Sequence, residues 1–137
     1  MGNLKGLAHI GVYTHDIEKS KEFYVEKLGF NLDYETRVPK PENKYLDIAF
    51  VSCGNLVIEL LGPKDKTIFT PGCLGSVNHI AIKTDDIKKS INNLKSRDIV
   101  FETEKPILLN NLMGGVEVIF FKGPSGERLE LFAAVKS

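Results

Sequence analysis

Two histidines and two glutamates recur at matched positions along this chain. His9 and His79 lie 70 residues apart, and Glu59 and Glu130 lie 71 residues apart. The spacing from histidine to glutamate is therefore 50 residues in the first half of the chain and 51 in the second. Imidazole nitrogens and carboxylate oxygens are ligands that suit a divalent transition metal. The joint pattern predicts one metal site built from all four residues.

Each of these residues also has an ordinary structural explanation. The glutamates sit in the apolar segments 57–61 and 128–132, where the burial of an uncompensated carboxylate is unfavourable. The alternation of a strand could instead turn both carboxylates to solvent. A histidine on a strand is often a hydrogen-bonded residue with no ligand role. The recurrence of all four residues at matched positions favours the metal site over four separate explanations.

The histidines lie inside a longer internal repeat. Residues 7–20 and 77–90 carry the same residue at seven of fourteen positions, namely His, Ile, Thr, Asp, Ile, Lys and Ser. A period of this length is too long for a solenoid unit, and it indicates a duplicated half-domain. In both copies a segment typical of a strand precedes an aspartate that can cap a helix.

The repeat predicts an α+β fold of two tandem βαβββ modules in a single domain. The first module covers about 5–62, a linker rich in glycine and proline covers 63–76, and the second module covers about 77–134. In the second module we expect a strand near 99–104. A long connection over 105–115 should then lead to the next strand. A chain of 137 residues is the size of one ordinary domain.

Local signals set the boundaries of several elements. Asp16 is a plausible cap for a helix over 17–28, and Gly29 suits the left-handed position that ends it. A second helix is expected over about 87–97. The two prolines of the segment 39–43 predict a turn, because proline cannot donate a hydrogen bond to a sheet.

Composition narrows the class of partner. The chain carries 18 basic and 18 acidic residues, so its formal net charge is zero. This balance argues against nucleic acid and against an anionic membrane surface as partners, and no apolar run approaches the length of a membrane span. Cys53 and Cys73 share no metal-binding spacing and are expected to be free thiols. We therefore expect a cytoplasmic protein that acts on a small molecule.

Taken together, these motifs resemble the vicinal oxygen chelate superfamily, which includes glyoxalases, bleomycin-resistance proteins and dioxygenases. The resemblance covers essentially the full chain and implies two βαβββ modules that form a cupped mixed sheet around a metal. It is carried by Ala8-His9-Ile10-Gly11-Val12, Asp16-Ile17, Phe23-Tyr24, Leu28-Gly29-Phe30, Val57-Ile58-Glu59-Leu60, Asn78-His79-Ile80-Ala81 and Gly123-Pro124-Ser125-Gly126-Glu127-Arg128-Leu129-Glu130-Leu131.

The glyoxalase-I-like (lactoylglutathione lyase-like) branch is similar in its ligand order, which implies metal ligation by His9, Glu59, His79 and Glu130. The resemblance implies a lyase or isomerase that moves a proton beside a carbonyl through an enediolate or enolate. Glu130 or Glu59 would also act as the general base. A divalent metal would stabilise the oxyanion, with nickel or cobalt favoured and zinc as the second choice. Members of the family commonly dimerise, so a homodimer is expected.

Other branches of the family remain as alternatives. Methylmalonyl-CoA epimerase is similar in its four ligands. Fe(II) ring-cleaving dioxygenases and thiol transferases use two histidines and one glutamate, which would leave Glu59 without a role. Bleomycin-binding proteins are non-enzymatic and lack the histidines. Tyr13 and Pro63 stand where glyoxalase I has an arginine and an asparagine that grip glutathione, which argues against glutathione as the thiol.

Two further segments could shape a pocket. The connection 106–115 is apolar for a loop, and it fits a pocket wall or lid, packing under the sheet, or a subunit interface. Lys122 and Arg128 could hold an anionic substrate tail, although single basic residues near strand ends are usually solvated.

Overall fold

The computed structural model describes residues 3–69, 76–122 and 128–135. Within these residues there are eight strands, two α-helices, one π-helical turn and one short 3-10 turn. In chain order they are β1 (Leu4–Tyr13), α1 (Ile17–Glu22), the π-helical turn (Phe23–Lys27), β2 (Asn31–Lys40), β3 (Lys44–Cys53), β4 (Leu56–Pro63), the 3-10 turn (Lys66–Ile68), β5 (Val77–Thr84), α2 (Ile87–Lys95), β6 (Ile107–Leu109), β7 (Val116–Lys122) and β8 (Arg128–Ala134).

The chain forms two compact units. The first unit is His9–Asn78, and the second unit combines Met1–Ala8 with His79–Ser137. Each unit has a helix and a mixed set of strands in which one pair is parallel and the others are antiparallel. The predicted α+β fold with repeated βαβββ order is confirmed. None of the described helices is long and apolar enough to cross a membrane.

In the first unit, the strands follow the order β2-β3-β4-β1, and β1 runs parallel to β4. Ala49, Val51 and Leu60 lie on the face that packs against α1 and the residues after it. Successive side chains of a strand point to opposite faces. Phe50 and Glu59 therefore lie on the other face, which we call the site-bearing face of this unit.

The first helix differs from the single helix expected over 17–28. Asp16 caps it as predicted, since its carboxylate accepts a hydrogen bond from the backbone N–H of Lys19 at 3.2 Å. The α-helix ends at Glu22, and a π-helical turn follows it. Tyr24 and Val25, adjacent in sequence, both pack against the sheet. The wider turn accommodates these two neighbouring bulky side chains on one side of the helix.

The second unit repeats this arrangement in the order β5-β8-β7-β6, with β5 parallel to β8. Asp86 caps α2 by accepting from the backbone N–H of Lys89 at 3.1 Å. Ile91 of α2 packs in a buried cluster with Ile119 and Leu131. By alternation, the residues next to Ile119 and Leu131 in sequence face away from the helix. Phe120 and Glu130 are therefore on the site-bearing face of the second unit.

Two predicted boundaries in the second unit are wrong. No strand spans 99–104. Phe101 makes an isolated bridge to Phe121, and Glu102 donates its backbone N–H to Phe120 at 2.8 Å. The strand next to β7 is instead Ile107–Leu109, inside the segment expected to be a loop. The charged residues that follow Phe101 are exposed, so the apolar Ile107–Leu109 segment is better suited to extend the sheet.

The turn predicted over 39–43 is shorter than expected. Pro39 lies within β2, opposite Tyr45 of β3. Among the described strands, β2 ends the order of the first unit and has β3 as its one neighbour. Proline is tolerated at the outer strand of a sheet because its missing N–H can face away from the ladder. The turn itself is formed by Glu42 and Asn43, which both adopt positive φ values, 63° and 58°.

Candidate metal centre

The first unit contains a buried histidine–glutamate pair. His9 comes from β1 and Glu59 from the parallel strand β4, where Glu59 is paired with Gly11. The Nε2 atom of His9 lies 3.3 Å from the Oε1 atom of Glu59, and the two side chains are 2% and 7% exposed. A carboxylate with so little water around it needs a polar or charged partner. The structure therefore excludes the solvent-facing explanation for Glu59.

The second unit repeats the pair in the same register. His79 comes from β5 and Glu130 from the parallel strand β8, where Glu130 is paired with Ala81. The Nε2 atom of His79 lies 3.4 Å from the Oε1 atom of Glu130, and the two side chains are 5% and 6% exposed. The duplication therefore repeats the local geometry of the pair as well as its sequence spacing.

A phenylalanine packs against each histidine. Phe50 is paired with Glu59 across β3 and β4, and its ring meets His9 edge-on at 5.2 Å and 84°. Phe120 is paired with Glu130 across β7 and β8, and its ring meets His79 at 5.9 Å and 87°. Such edge-to-face contacts orient the imidazole rings. Neither phenylalanine was predicted from the sequence, although the hairpin register that pairs them with the glutamates would have pointed to them.

Arg128 extends this cluster in the second unit. Its guanidinium carbon lies 3.7 Å from the centre of the Phe120 ring. Its Nε and Nη2 atoms donate to the two carboxylate oxygens of Glu102 at 3.2 and 3.0 Å. These hydrogen bonds lower the pKa of Glu102, although its partial burial opposes the shift. The contact with Glu102 was not predicted, since Glu102 was assigned to a strand with no site role.

The first unit holds a similar arginine, but on the face that packs against α1. Arg37 donates from Nε and Nη2 to the two oxygens of Asp47 at 2.7 and 3.0 Å, and its guanidinium lies 3.6 Å from the centre of the Tyr45 ring. Asp47 is separated from Ala49 by one residue, so the pair lies on the face that packs against α1. Arg37 thus offers a natural comparison for Arg128.

The positions that argued against glutathione lie in the first unit. The Tyr13 ring packs edge-on against Phe69 at 5.6 Å, and Tyr13 lines a cavity of about 360 Å³ together with His15. Pro63 ends β4 and is buried. Neither residue presents a guanidinium or a side-chain amide.

Other predicted features are only partly within the described residues. Lys122 is exposed at the end of β7, where it is paired with Arg128. The apolar segment 106–115 contributes β6 and the buried Leu112. Cys53 is an exposed free cysteine, whereas Cys73 and the Gly123–Glu127 part of the family motif lie outside the described residues.

The donor types fit a metal site. Within the described part of the chain, each unit presents one buried imidazole beside one carboxylate. Two imidazoles and carboxylate oxygens match the preferences of nickel, cobalt and zinc.

The model of the Glyoxalase/Bleomycin resistance protein/Dioxygenase superfamily matches residues 6–131. The uncharacterised protein YwkD of Bacillus subtilis is 35% identical over 133 residues, which cover 94% of this chain and 97% of that protein. Human mitochondrial methylmalonyl-CoA epimerase is 33% identical over 102 residues. That match covers 71% of this chain and 56% of the human protein, so the chain spans little more than half the length of that relative.

Solved structures share the fold. The crystal structure of methylmalonyl-CoA epimerase from Mycobacterium tuberculosis superposes with a TM-score of 0.78 at 19% identity, covering 97% of this chain and 90% of that one. The matched family model, the paired strands and the repeated histidine–glutamate pairs agree with one another. The chain belongs to the glyoxalase/bleomycin resistance/dioxygenase superfamily.

Proposed function

We propose that this protein is a metal-dependent isomerase of the methylmalonyl-CoA epimerase type, which inverts the carbon next to the thioester carbonyl of an acyl-CoA. The repeated, buried histidine–glutamate pair is the observation that carries the proposal. The identity to human methylmalonyl-CoA epimerase supports this branch over the glyoxalase-I-like branch that the sequence first favoured. Lactoylglutathione lyase is a further relative of the chain, at lower identity.

In this proposal His9, Glu59, His79 and Glu130 hold one divalent metal, with nickel or cobalt favoured and zinc as the second choice. When bound, the metal supplies a Lewis acid that polarises the substrate carbonyl and makes the neighbouring proton more acidic. The phenylalanines keep both imidazole rings in place and restrict the access of water to them.

Inversion of a carbon needs one group to remove a proton and another to return it on the opposite side. Glu59 and Glu130 occupy matched positions, each beside one histidine. We assign one carboxylate to each transfer, so the carboxylate that accepts the proton in one direction donates it in the other. A duplicated pair of carboxylates suits an epimerase, because the enzyme must act on both configurations of the same carbon.

A glyoxalase-I-like lyase is the second candidate, because it would use the same four donors. Tyr13 and Pro63 offer no group that would replace the usual glutathione contacts. The dioxygenase and thiol transferase readings need only three donors. They leave unexplained the burial of Glu59 against His9. The proposal includes a homodimer, because members of the family commonly dimerise.

The exchange of the substrate proton with solvent tests the proposal. Methylmalonyl-CoA incubated with the metal-loaded protein in D₂O should lose the proton on its inverted carbon, as measured by mass spectrometry. Glu130→Gln should slow the exchange about a hundredfold or more, since one proton-transfer group is lost.

Glu117→Gln provides a matched control, since this half-buried glutamate lies in β7 outside the donor set. Exchange should be unaffected in that variant. No exchange in the wild-type protein, together with turnover of a methylglyoxal–thiol adduct, would replace the epimerase with the lyase.

A further inference from the structure

A pair of basic residues lies on the site-bearing face of the second unit. Arg128 and Glu130 are two residues apart on β8, so they share a face and their Cα atoms are about 7 Å apart. Lys122 of β7 is paired with Arg128. In the first unit, the corresponding hairpin pair is Ser52 and Val57. The repeat has therefore kept the metal donors in both units but placed the positive charges in only one.

The Arg128 guanidinium is arranged for a planar carboxylate. Stacking on Phe120 fixes its plane, and its Nε and Nη2 atoms point to the two oxygens of Glu102. This two-pronged geometry is specific for carboxylate and phosphate groups. Glu102 thus shows, within the chain itself, that a carboxylate is accepted at this position.

The net charge around Arg128 favours the binding of a second anion. Arg128 and Lys122 carry two positive charges, and both act on the single carboxylate of Glu102, whose pKa they lower. The cluster of these three side chains therefore has a net charge of +1. Glu130 lies on the same face of β8, and the proposed metal would offset its negative charge, so an incoming carboxylate would meet a favourable potential beside Arg128.

The contact with Glu102 is also easy to exchange. The Arg128 and Glu102 side chains are 37% and 33% exposed, and exposed ion pairs contribute little to stability. Glu102 belongs to an irregular segment. The described backbone contacts of this segment with the sheet are one bridge, at Phe101, and one hydrogen bond, from Glu102 to Phe120. A rotation of the Glu102 side chain alone would free the guanidinium without disturbing β7 or β8.

We propose that Arg128 binds the free carboxylate of a malonyl-type substrate, and that Glu102 occupies this place until the substrate arrives. The inference rests on the proposed function and adds to it a positioning residue, which would hold the substrate through the free carboxylate that a malonyl-type thioester carries beside its reacting carbon. The short distance along β8 between Arg128 and Glu130 favours a carboxylate attached at or next to the carbon that loses its proton.

Binding of malonate alone tests the site without requiring turnover. The zinc-loaded full chain is titrated with sodium malonate at constant ionic strength, and the Nε–H resonance of Arg128 is followed by NMR. Malonate should shift this resonance in a saturable manner. Glu102→Gln should tighten binding roughly two- to fivefold, which is what the loss of an exposed competing ion pair is worth. Arg128→Lys, followed through the backbone amide resonances of β8, should weaken it about tenfold, because lysine keeps the charge but loses the two-pronged geometry.

Asp47→Asn is the matched control. It removes the same kind of carboxylate from a stacked arginine, Arg37, on the face that packs against α1. This variant should bind malonate at Arg128 with unchanged affinity. Equal malonate affinity in the wild-type protein and the Arg128→Lys variant, or no shift of the Arg128 resonance, would overturn the inference.

The two proposals fail in different ways. If malonate binds at Arg128 but methylmalonyl-CoA exchanges no proton in D₂O, the carboxylate site stands and the epimerase function is wrong. If exchange occurs and is equally fast in the Arg128→Lys and Glu102→Gln variants, with no malonate binding at Arg128, the epimerase stands and the carboxylate site is wrong.

Discussion

Replacing Glu59 by glutamine should lower the melting temperature of the metal-loaded protein but not that of the metal-free protein. Glutamine has the same shape as glutamate, and its amide oxygen can keep the 3.3 Å contact with His9. The substitution removes one of the two negative charges that the proposed donor set offers to a cation. Because the site is almost fully buried, water cannot compensate for that loss. We expect metal affinity to fall on the order of 100-fold, because the loss of a ligand should cost at least as much as the loss of a residue that supports a ligand.

The magnitude can be expressed as a shift in melting temperature. A ligand present at a hundred times its Kd stabilises a protein by about 2.7 kcal/mol. For a chain of this size, each kcal/mol shifts the melting temperature by about 3–5 °C, so metal should raise that of the wild-type protein by about 8–13 °C. At the same metal concentration the Glu59→Gln variant would be near its Kd. The expected gain is about 0.4 kcal/mol, or about 1–2 °C.

Differential scanning calorimetry with nickel, cobalt or zinc, and with a chelator, measures both proteins directly. In the chelator, the two proteins should melt at similar temperatures, since glutamine keeps the shape of glutamate and the contact with His9. Glu117→Gln should behave like the wild-type protein in both conditions. An equal metal-induced shift in the wild-type protein and in Glu59→Gln would refute the assignment of Glu59 as a ligand.

Three further outcomes follow from packing and charge. Leu131→Ala should destabilise the protein by about 2–5 kcal/mol in urea unfolding, because Leu131 is fully buried against α2, and metal affinity measured by calorimetry should stay unchanged. Gly62→Ala should cost about 1–3 kcal/mol in the same assay, since a Cβ there would lie 2.9 Å from the Cβ of Ile17. The side chains of Thr67 and then Lys44 lower the pKa of Asp65 from 3.8 to about 2. Because this folded-state pKa lies below the ordinary value, the stabilising effect of Asp65 is present above about pH 4 and is lost as the pH falls towards 2. Thr67→Val should raise the pKa measured by NMR titration.

The internal repeat allowed much of the candidate site to be predicted. The matched spacing of the histidines and glutamates gave both pairs, because parallel pairing of the first and last strands in each unit brings them together. The helix caps Asp16 and Asp86 could also be predicted from the sequence, since capping depends on residues close in sequence.

Contacts that depend on pairing between distant segments could not be predicted from the sequence. Glu102 lies 26 residues from Arg128 and belongs to a segment whose strand-like composition was misleading. The short strand β6 was missed because three residues carry too little alternation to stand out from a loop. Phe50 and Phe120 acquire their importance from hairpin register, which composition alone does not fix.

The confinement of Arg128 and Lys122 to one half of a duplicated chain has a stereochemical consequence. The proposed donor set offers the same two residue types in each unit, and such a repeated set cannot by itself distinguish one end of a substrate from the other. An enzyme that interconverts two epimers benefits from that equivalence at the inverted carbon, yet it must still hold the remainder of the molecule in a single direction. Lys122 and Arg128 stand where the first unit has Ser52 and Val57, and this basic pair would provide that direction. Later divergence of the two halves could thus orient the substrate without altering the proton transfer at the inverted carbon.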